Sequence, residues 1–450
     1  PPHRRLLRGA VAARAMTYRE AAARITGLRG GEMAGMRPGL ERIEALLEAV
    51  GNPERAMTLV QVAGTNGKGS VSAMLAAILK SSGRRVGLYT SPHLVDLRER
   101  IRVGGLPIPE ADVADGMEAL GSLVARLDAT MFEALTALAL DHFAREGVEV
   151  AVLEAGLGGR LDSTSVGRPA VEVITRIDLD HEAYLGATLV AIAREKAAII
   201  RSGIALSARQ EPAVEAELSR RAAEAGVSLL VEGRDLRVRV RRASLDGQWL
   251  DLEGPGWRLD DVRCALLGVF QPGNALLAAA AARALGVQDA AIRDGLGSVR
   301  WPGRFQLIRR APPVIVDGAH NPAGAHALAA SLAAYFPGRR GSFVVGISAD
   351  KDKAGILGAL LPLAQRVICT AADNARAASP ETLAELARLA AGASTVRVET
   401  APSSREALRL ALAEPDTPMV CVAGSLFMIG EILAQITENT DIFSQSAARG

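Results

Sequence analysis

The chain has 450 residues, 49% of them hydrophobic and 3% aromatic, with a net charge of +2. That length supports two or three domains with substantial cores. Near-neutral charge and scarce aromatics exclude a polyanion-binding surface and stacking platforms for single-stranded nucleic acid, and no apolar run approaches the roughly 20 residues of a membrane helix.

Residues 1–15, PPHRRLLRGAVAARA, carry four arginines and no acid. Residues 1–16 are expected to be a disordered leader ahead of a start at Met16, with a transit peptide as the other reading. Residues 17–50 read as helices around a glycine-rich break. MTLVQVAG (57–64) is a short strand, and helical spacing follows from about 68 to 82, stopping at Gly83. VGLYTSP (86–92) is the next strand, 130–146 a helix, and 148–156 and 171–177 are buried strands. Residues 188–200 are helical, 236–254 form a hairpin through a DG turn, and a helix spans about 273–286. Strand–helix alternation implies a mainly parallel sheet covered on both faces. At WPGRF (301–305) the pattern restarts with five strands, each followed by a helical stretch. The expected organisation is one α/β domain over 17–299, a second over 300–440 and a tail at 441–450. Polar motifs cluster at strand carboxyl ends, which predicts a site in the cleft between the two.

GTNGKGS (64–70) lies between a strand and a helix. Glycines let backbone N–H groups face an anion, and the helix N-terminus adds partial positive charge. Lys68 would reach phosphate as a point charge. A common phosphate loop has Ser or Thr directly after the lysine; here Gly69 intervenes before Ser70. Lysines are scarce: Lys68, Lys80, Lys196, Lys351 and Lys353 against 52 Lys and Arg in all. A lysine kept in so arginine-rich a chain is a candidate for chemistry that needs a compact charge or a reactive amine. Glu154, in an otherwise apolar strand, needs a partner if buried. The three cysteines, Cys264, Cys369 and Cys421, are isolated in sequence, which suits a reducing cytoplasm.

GTNGKGS, LYTSPHL, RERI, LEAGLGGRLDST, LDHEAYLG, AREKA, WPGRF, VDGAHNP, DKD and AGSL occur in order between residues 64 and 426, within a resemblance that covers roughly 17–436. Together they resemble the folylpolyglutamate synthase and dihydrofolate synthase family, within the Mur ligase superfamily. The resemblance implies a two-domain α/β fold: a P-loop ATPase domain with a mainly parallel sheet and a C-terminal Rossmann-like domain. It implies ATP contacts at Gly64, Thr65, Asn66, Gly67, Lys68, Gly69, Ser70, Asn274, Arg304, Asp317 and His320. Ser91, Glu154 and His181 match magnesium-binding positions, and Lys196 matches a lysine that becomes carbamylated and serves a second magnesium. Thr130, Phe132 and Asp162 match positions that hold the pterin. Lys68, Lys196, Arg304 and His181 are the implied catalytic set.

The implied reaction joins L-glutamate to a pteroate or folate carboxylate with ATP, through an acyl phosphate. The implied substrates are dihydropteroate or reduced folates, L-glutamate and ATP, with two Mg²⁺ ions and a monovalent cation. A cytoplasmic monomer acting in folate biosynthesis, with no nucleic acid or membrane partner, is expected. GGRLD (158–162) favours a bifunctional dihydrofolate and folylpolyglutamate synthase over a folylpolyglutamate synthase alone. Two other readings stay open: another Mur-type amino-acid ligase, and an ATP-binding scaffold without turnover. The sequence departs from the family at Arg176, Asp178, Ala198, Ser165 and Phe270, which bears on substrate preference.

Overall fold

The computed structural model describes residues 15–31, 37–415 and 417–437. The expected leader lies outside them except for its last two residues, and the expected tail lies wholly outside. Eight strands build the first sheet: β1 (Thr58–Ala63), β2 (Val86–Tyr89), β3 (Ile101–Val103), β4 (Leu106–Pro107), β5 (Val150–Glu154), β6 (Val171–Ile174), β7 (Ile204–Ser207) and β8 (Ser228–Val231). Their order is β4-β3-β2-β5-β1-β6-β7-β8. From β2 to β8 neighbours run parallel; β3 and β4 add an antiparallel edge.

β1 is entirely buried after its first residue, as a parallel strand covered on both faces must be. The helix Lys68–Ser81 lies against this sheet, and helices Gln271–Ala284 and Asp289–Ser298 pack against it in turn. Leu75, Ile78, Leu79, Leu276 and Ile292 share that core. The opposite face is covered by helices Tyr18–Gly27, Glu41–Ala49, Glu110–Arg126 and Met131–Arg145.

The hairpin at 236–254 proves to be part of a three-stranded antiparallel sheet, β9 (Arg237–Ser244), β10 (Gly247–Gly254) and β11 (Trp257–Cys264). β11 reads WRLDDVRC, and its outward charged positions hide the strand signal. The last sheet has six strands where the sequence suggested five: β12 (Gln306–Arg310), β13 (Pro313–Asp317), β14 (Gly341–Val345), β15 (Ala364–Cys369), β16 (Arg397–Thr400) and β17 (Val420–Ala423). The order is β12-β13-β17-β14-β15-β16, parallel but for β12. The unforeseen β12 is a partly exposed edge strand rich in arginine.

Topology places the polar motifs. β1 lies between β5 and β6, and the chain crosses over it on passing from β5 to β6. Ligands bind at such switch points, beyond the strand carboxyl ends. The four neighbours β2, β5, β1 and β6 therefore release Ser91, Glu154, the 64–70 loop and the 175–181 segment along one rim. On the second sheet β13, β17 and β14 release Asp317–His320, Ser425 and Ser348–Lys351.

Candidate active site

The two rims face each other across a cleft of about 950 Å³. All the side chains that the sequence singles out as site candidates line it, from Gly64–Ser70 to Thr130, Phe132 and Asp162 at one end and Asn274, Arg304, Asp317 and His320 at the other. The structure brings these positions together; what each does there is a separate matter.

The loop owes its shape to close contacts. Gly64 has φ +148°, and a Cβ there would sit 1.9 Å from Thr175 Oγ1. A Cβ on Gly69 would lie 3.0 Å from the Trp301 ring nitrogen. The unusual Gly69 thus leaves room for a tryptophan from the segment joining the two sheets. Ser70 is buried and accepts a hydrogen bond from Gln271 Nε2 at 3.3 Å. Gln271 Oε1 in turn accepts from Asn274 Nδ2 at 2.9 Å. Lys68 Nζ donates to the carbonyls of Gly64 and Thr65 at 3.2 and 3.1 Å, folding back over its own loop.

Lys196 is near the end of helix Leu189–Ala197, whose N-terminus is capped by the Thr188 hydroxyl. Its side chain is buried, and Nζ donates to Gly64 O at 2.6 Å. Burial, reinforced by the charge of Lys68, pushes its pKa down to about 7. A fraction of this amine is therefore neutral and nucleophilic at neutral pH.

Glu154 ends β5. Burial raises its pKa, against the pull of Lys68 and Arg304. Among the described residues its carboxylate accepts one hydrogen bond, from Ser91 N–H at 3.2 Å. It keeps acceptor capacity in the field of Lys68, Arg304 and Arg100. His181 has a left-handed backbone, φ 52°, and burial lowers its pKa to about 4, so its imidazole is neutral at pH 7. Among the described residues no three His, Cys, Asp or Glu side chains form a ready-made metal cage. The Glu154 carboxylate and the Ser91 hydroxyl are oxygen donors of the kind Mg²⁺ takes, and both line the cleft with the His181 imidazole.

Asp317, the last residue of β13, accepts from Phe305 N at 2.7 Å and Ala319 N at 2.8 Å. Burial raises its pKa, opposed by Arg304. His320 Nδ1 sits 2.8 Å from Gly318 O, and burial lowers its pKa to about 4. Among the described residues Arg304 bonds its neighbour alone, Gly303 O at 3.2 Å, which leaves most of its donors for a ligand.

At the other end, Thr130 caps helix Met131–Arg145 in a reciprocal bond pattern with Glu133. Its hydroxyl is thus engaged in the fold as well as lining the cleft. Phe132 packs 5.6 Å from the Tyr89 ring, with its edge over Gly156. Asp162 is buried and accepts from Leu157 N, Thr164 N and Thr164 Oγ1 at 2.8, 2.9 and 2.6 Å. It organises the 157–164 loop from within.

Sequence reasoning missed Asp180, Asn321 and the role of Lys351 as a bridge. Lys351 Nζ lies 2.9 Å from Asp180 Oδ1, and Asn321 Nδ2 donates to Asp180 Oδ2 at 3.0 Å. Burial opposes ionisation of Asp180, but His181 and the Lys351 ammonium outweigh it and hold the carboxyl below the usual range. Asn321 also meets Asn66 of the loop at 3.3 Å. The scarcity of lysine and the DKD motif marked Lys351, but neither named its partner.

Comparison with known proteins follows the same division. The Mur ligase middle domain matches residues 62–282, and the Mur ligase glutamate ligase domain matches 303–426. The dihydrofolate synthase/folylpolyglutamate synthase of Mycobacterium tuberculosis is 39% identical over 426 residues, covering 87% of this chain and 86% of its own length. The crystal structure of M. tuberculosis folylpolyglutamate synthase complexed with ADP and AMPPCP superposes with a TM-score of 0.85 at 37% identity, over 94% of this chain and 99% of that one. Escherichia coli FolC in complex with DHPP and ADP gives 0.84 at 33% identity, over 93% and 98%. The chain belongs to the dihydrofolate synthase/folylpolyglutamate synthase family of Mur ligases.

Proposed function

We propose that this protein is an ATP-dependent ligase that joins L-glutamate to the carboxylate of a pteroate or folate, acting as both dihydrofolate synthase and folylpolyglutamate synthase. The observation that carries this reading is the single cleft: a phosphate loop with Lys68 and Lys196 on one rim, and Arg304, Asp317 and His320 on the other. ADP in the related structures, and DHPP in one of them, agree with it.

A carboxylate is a poor electrophile, so it must first gain a leaving group. In the proposed path the acceptor carboxylate oxygen bonds the γ-phosphorus, and the bond from that phosphorus to the β,γ-bridging oxygen breaks to give ADP. Lys68 and Arg304 stabilise the charge spread over the phosphoryl oxygens. The glutamate amine then attacks the acyl carbon, loses a proton, and phosphate departs. Closure of the two rims on the substrates would exclude the water that otherwise hydrolyses the acyl phosphate. Ser91, Glu154 and His181 would hold a magnesium ion, and Lys196, as its carbamate, a second. Bound there, magnesium would neutralise phosphate charge. The monovalent cation is carried over from the family alone. We place the domain boundary near residue 300, between the two matched segments.

The test is ADP release with ATP, Mg²⁺ and L-glutamate, comparing dihydropteroate with tetrahydrofolate as acceptor. Turnover with both is expected. Turnover with tetrahydrofolate alone would reduce the reading to a folylpolyglutamate synthase, and turnover with neither would overturn it.

A further inference from the structure

Gln61 is a polar residue in the middle of β1, fully buried and three positions before Gly64. It sits in a hydrogen-bond chain whose direction is fixed. Arg201 Nη1 donates to Gln61 Oε1 at 2.9 Å. Guanidinium only donates, so the amide oxygen must face it and the amide nitrogen must face away. Gln61 Nε2 then donates to Thr164 Oγ1 at 3.0 Å and Ser165 Oγ at 2.8 Å. The carboxylate and carbonyl beyond them can only accept, so both hydroxyls send their protons onward: Thr164 to Asp162 Oδ1 at 2.6 Å, and Ser165 to the Gly159 carbonyl. Every donor points from Arg201 toward the wall of the cleft formed by Gly156–Ser163.

Arg201 is anchored from behind. Glu172 Oε1 accepts the backbone N–H groups of Arg201 and Ser202 at 3.1 and 2.8 Å, and Arg201 Nη2 reaches Val166 O at 3.2 Å. Glu172 Oε2 and Arg201 Nε are buried without a hydrogen-bond partner among the described residues. A buried ionic group with two orphaned polar atoms contributes little to stability. What it does supply is direction.

We propose that Gln61 and Arg201 are positioning residues for the acceptor: by fixing the sense of this chain they hold Asp162 and Gly159, and so set the shape of the wall against which the acceptor lies. This rests on the functional reading above. The Ser165 hydroxyl accepts from Gln61 and donates to Gly159 at once, which makes it a relay between the two. The phosphate loop is tied by different bonds, Thr65 N to Arg176 O at 2.9 Å and Lys196 Nζ to Gly64 O. Acceptor and nucleotide effects are therefore separable.

Gln61→Glu is the decisive variant. It keeps the volume and the Arg201 contact but offers only acceptors. The Thr164 and Ser165 protons turn back toward position 61, and Asp162 and Gly159 lose them. Steady-state kinetics with dihydropteroate are expected to show the acceptor KM up about tenfold, the ATP KM unchanged, and Tm within about 3 °C of the unaltered enzyme. Ser165→Ala, a milder change that leaves Gln61 and Arg201 paired, is expected to raise the acceptor KM about threefold. An unaltered acceptor KM in either variant overturns the inference, as does a joint shift of both KM values with a lowered Tm. Absence of acceptor-dependent ADP from the unaltered enzyme would instead defeat the functional reading, and the inference with it.

Discussion

Lys196→Met is expected to lower ligase turnover by about 10³-fold and, at the same time, to raise the melting temperature. The two effects share one cause. The amine is buried against Gly64 O with Lys68 nearby, and its pKa falls from 10.5 to about 7. Between those values the unfolded chain binds the proton and the folded chain does not, so stability rises with pH across that window. Below about pH 7 both states carry the charge, and the folded state bears the full cost of desolvation and of Lys68 repulsion, about 5 kcal/mol. A thioether removes that cost. Thermal unfolding followed at pH 6 and pH 9 checks it: the gain for the variant should be larger at pH 6. Lys196→Arg retains a cation but cannot readily form a carbamate, so it should be as inactive as the methionine variant. Near-normal turnover in either would rule out a chemical role for this amine.

Glu154→Gln is expected to cost about 10²–10³ in kcat with Tm unchanged or raised. Glutamine keeps an acceptor for Ser91 N–H and nearly the same volume, so the packing of β5 survives. Burial holds the folded carboxyl above its ordinary pKa. As pH rises from that ordinary value through the raised one, the unfolded state ionises first and stability is lost. The amide escapes this penalty. What it gives up is the carboxylate that Lys68 and Arg304 face. Activity titrated with Mg²⁺ should need higher concentrations in the variant, and an unchanged Mg²⁺ dependence would remove Glu154 from the ion's site.

The phosphate loop was legible because its signal is local: a buried strand, glycines, one lysine and a helix within about twenty residues. Glu154 stood out for a related reason, as a charge in an apolar strand. Helix Glu110–Arg126 escaped notice because Gly116 and Gly121 lower its helix propensity. The fold uses both: a Cβ on Gly116 would strike Leu138, and one on Gly121 would meet the Arg24 guanidinium. The Asp180–Lys351 pair and the Arg201–Gln61–Ser165 chain join residues 171, 140 and 104 positions apart. No periodicity or spacing rule carries such contacts; they exist only once the sheet order is set. Family resemblance named the positions along the cleft, but not that Asp162 spends its lone pairs inside its own loop.

In the proposed path a carboxylate is activated by phosphorylation before glutamate attacks. Oxygen tracing tests it most directly. Dihydropteroate labelled with ¹⁸O in both carboxylate oxygens is turned over with unlabelled ATP and L-glutamate, and the released phosphate is analysed by mass. An acyl-phosphate path transfers one carboxylate oxygen to each phosphate, so singly labelled phosphate is predicted in step with product. Unlabelled phosphate alongside glutamylated product would contradict an acyl-phosphate path.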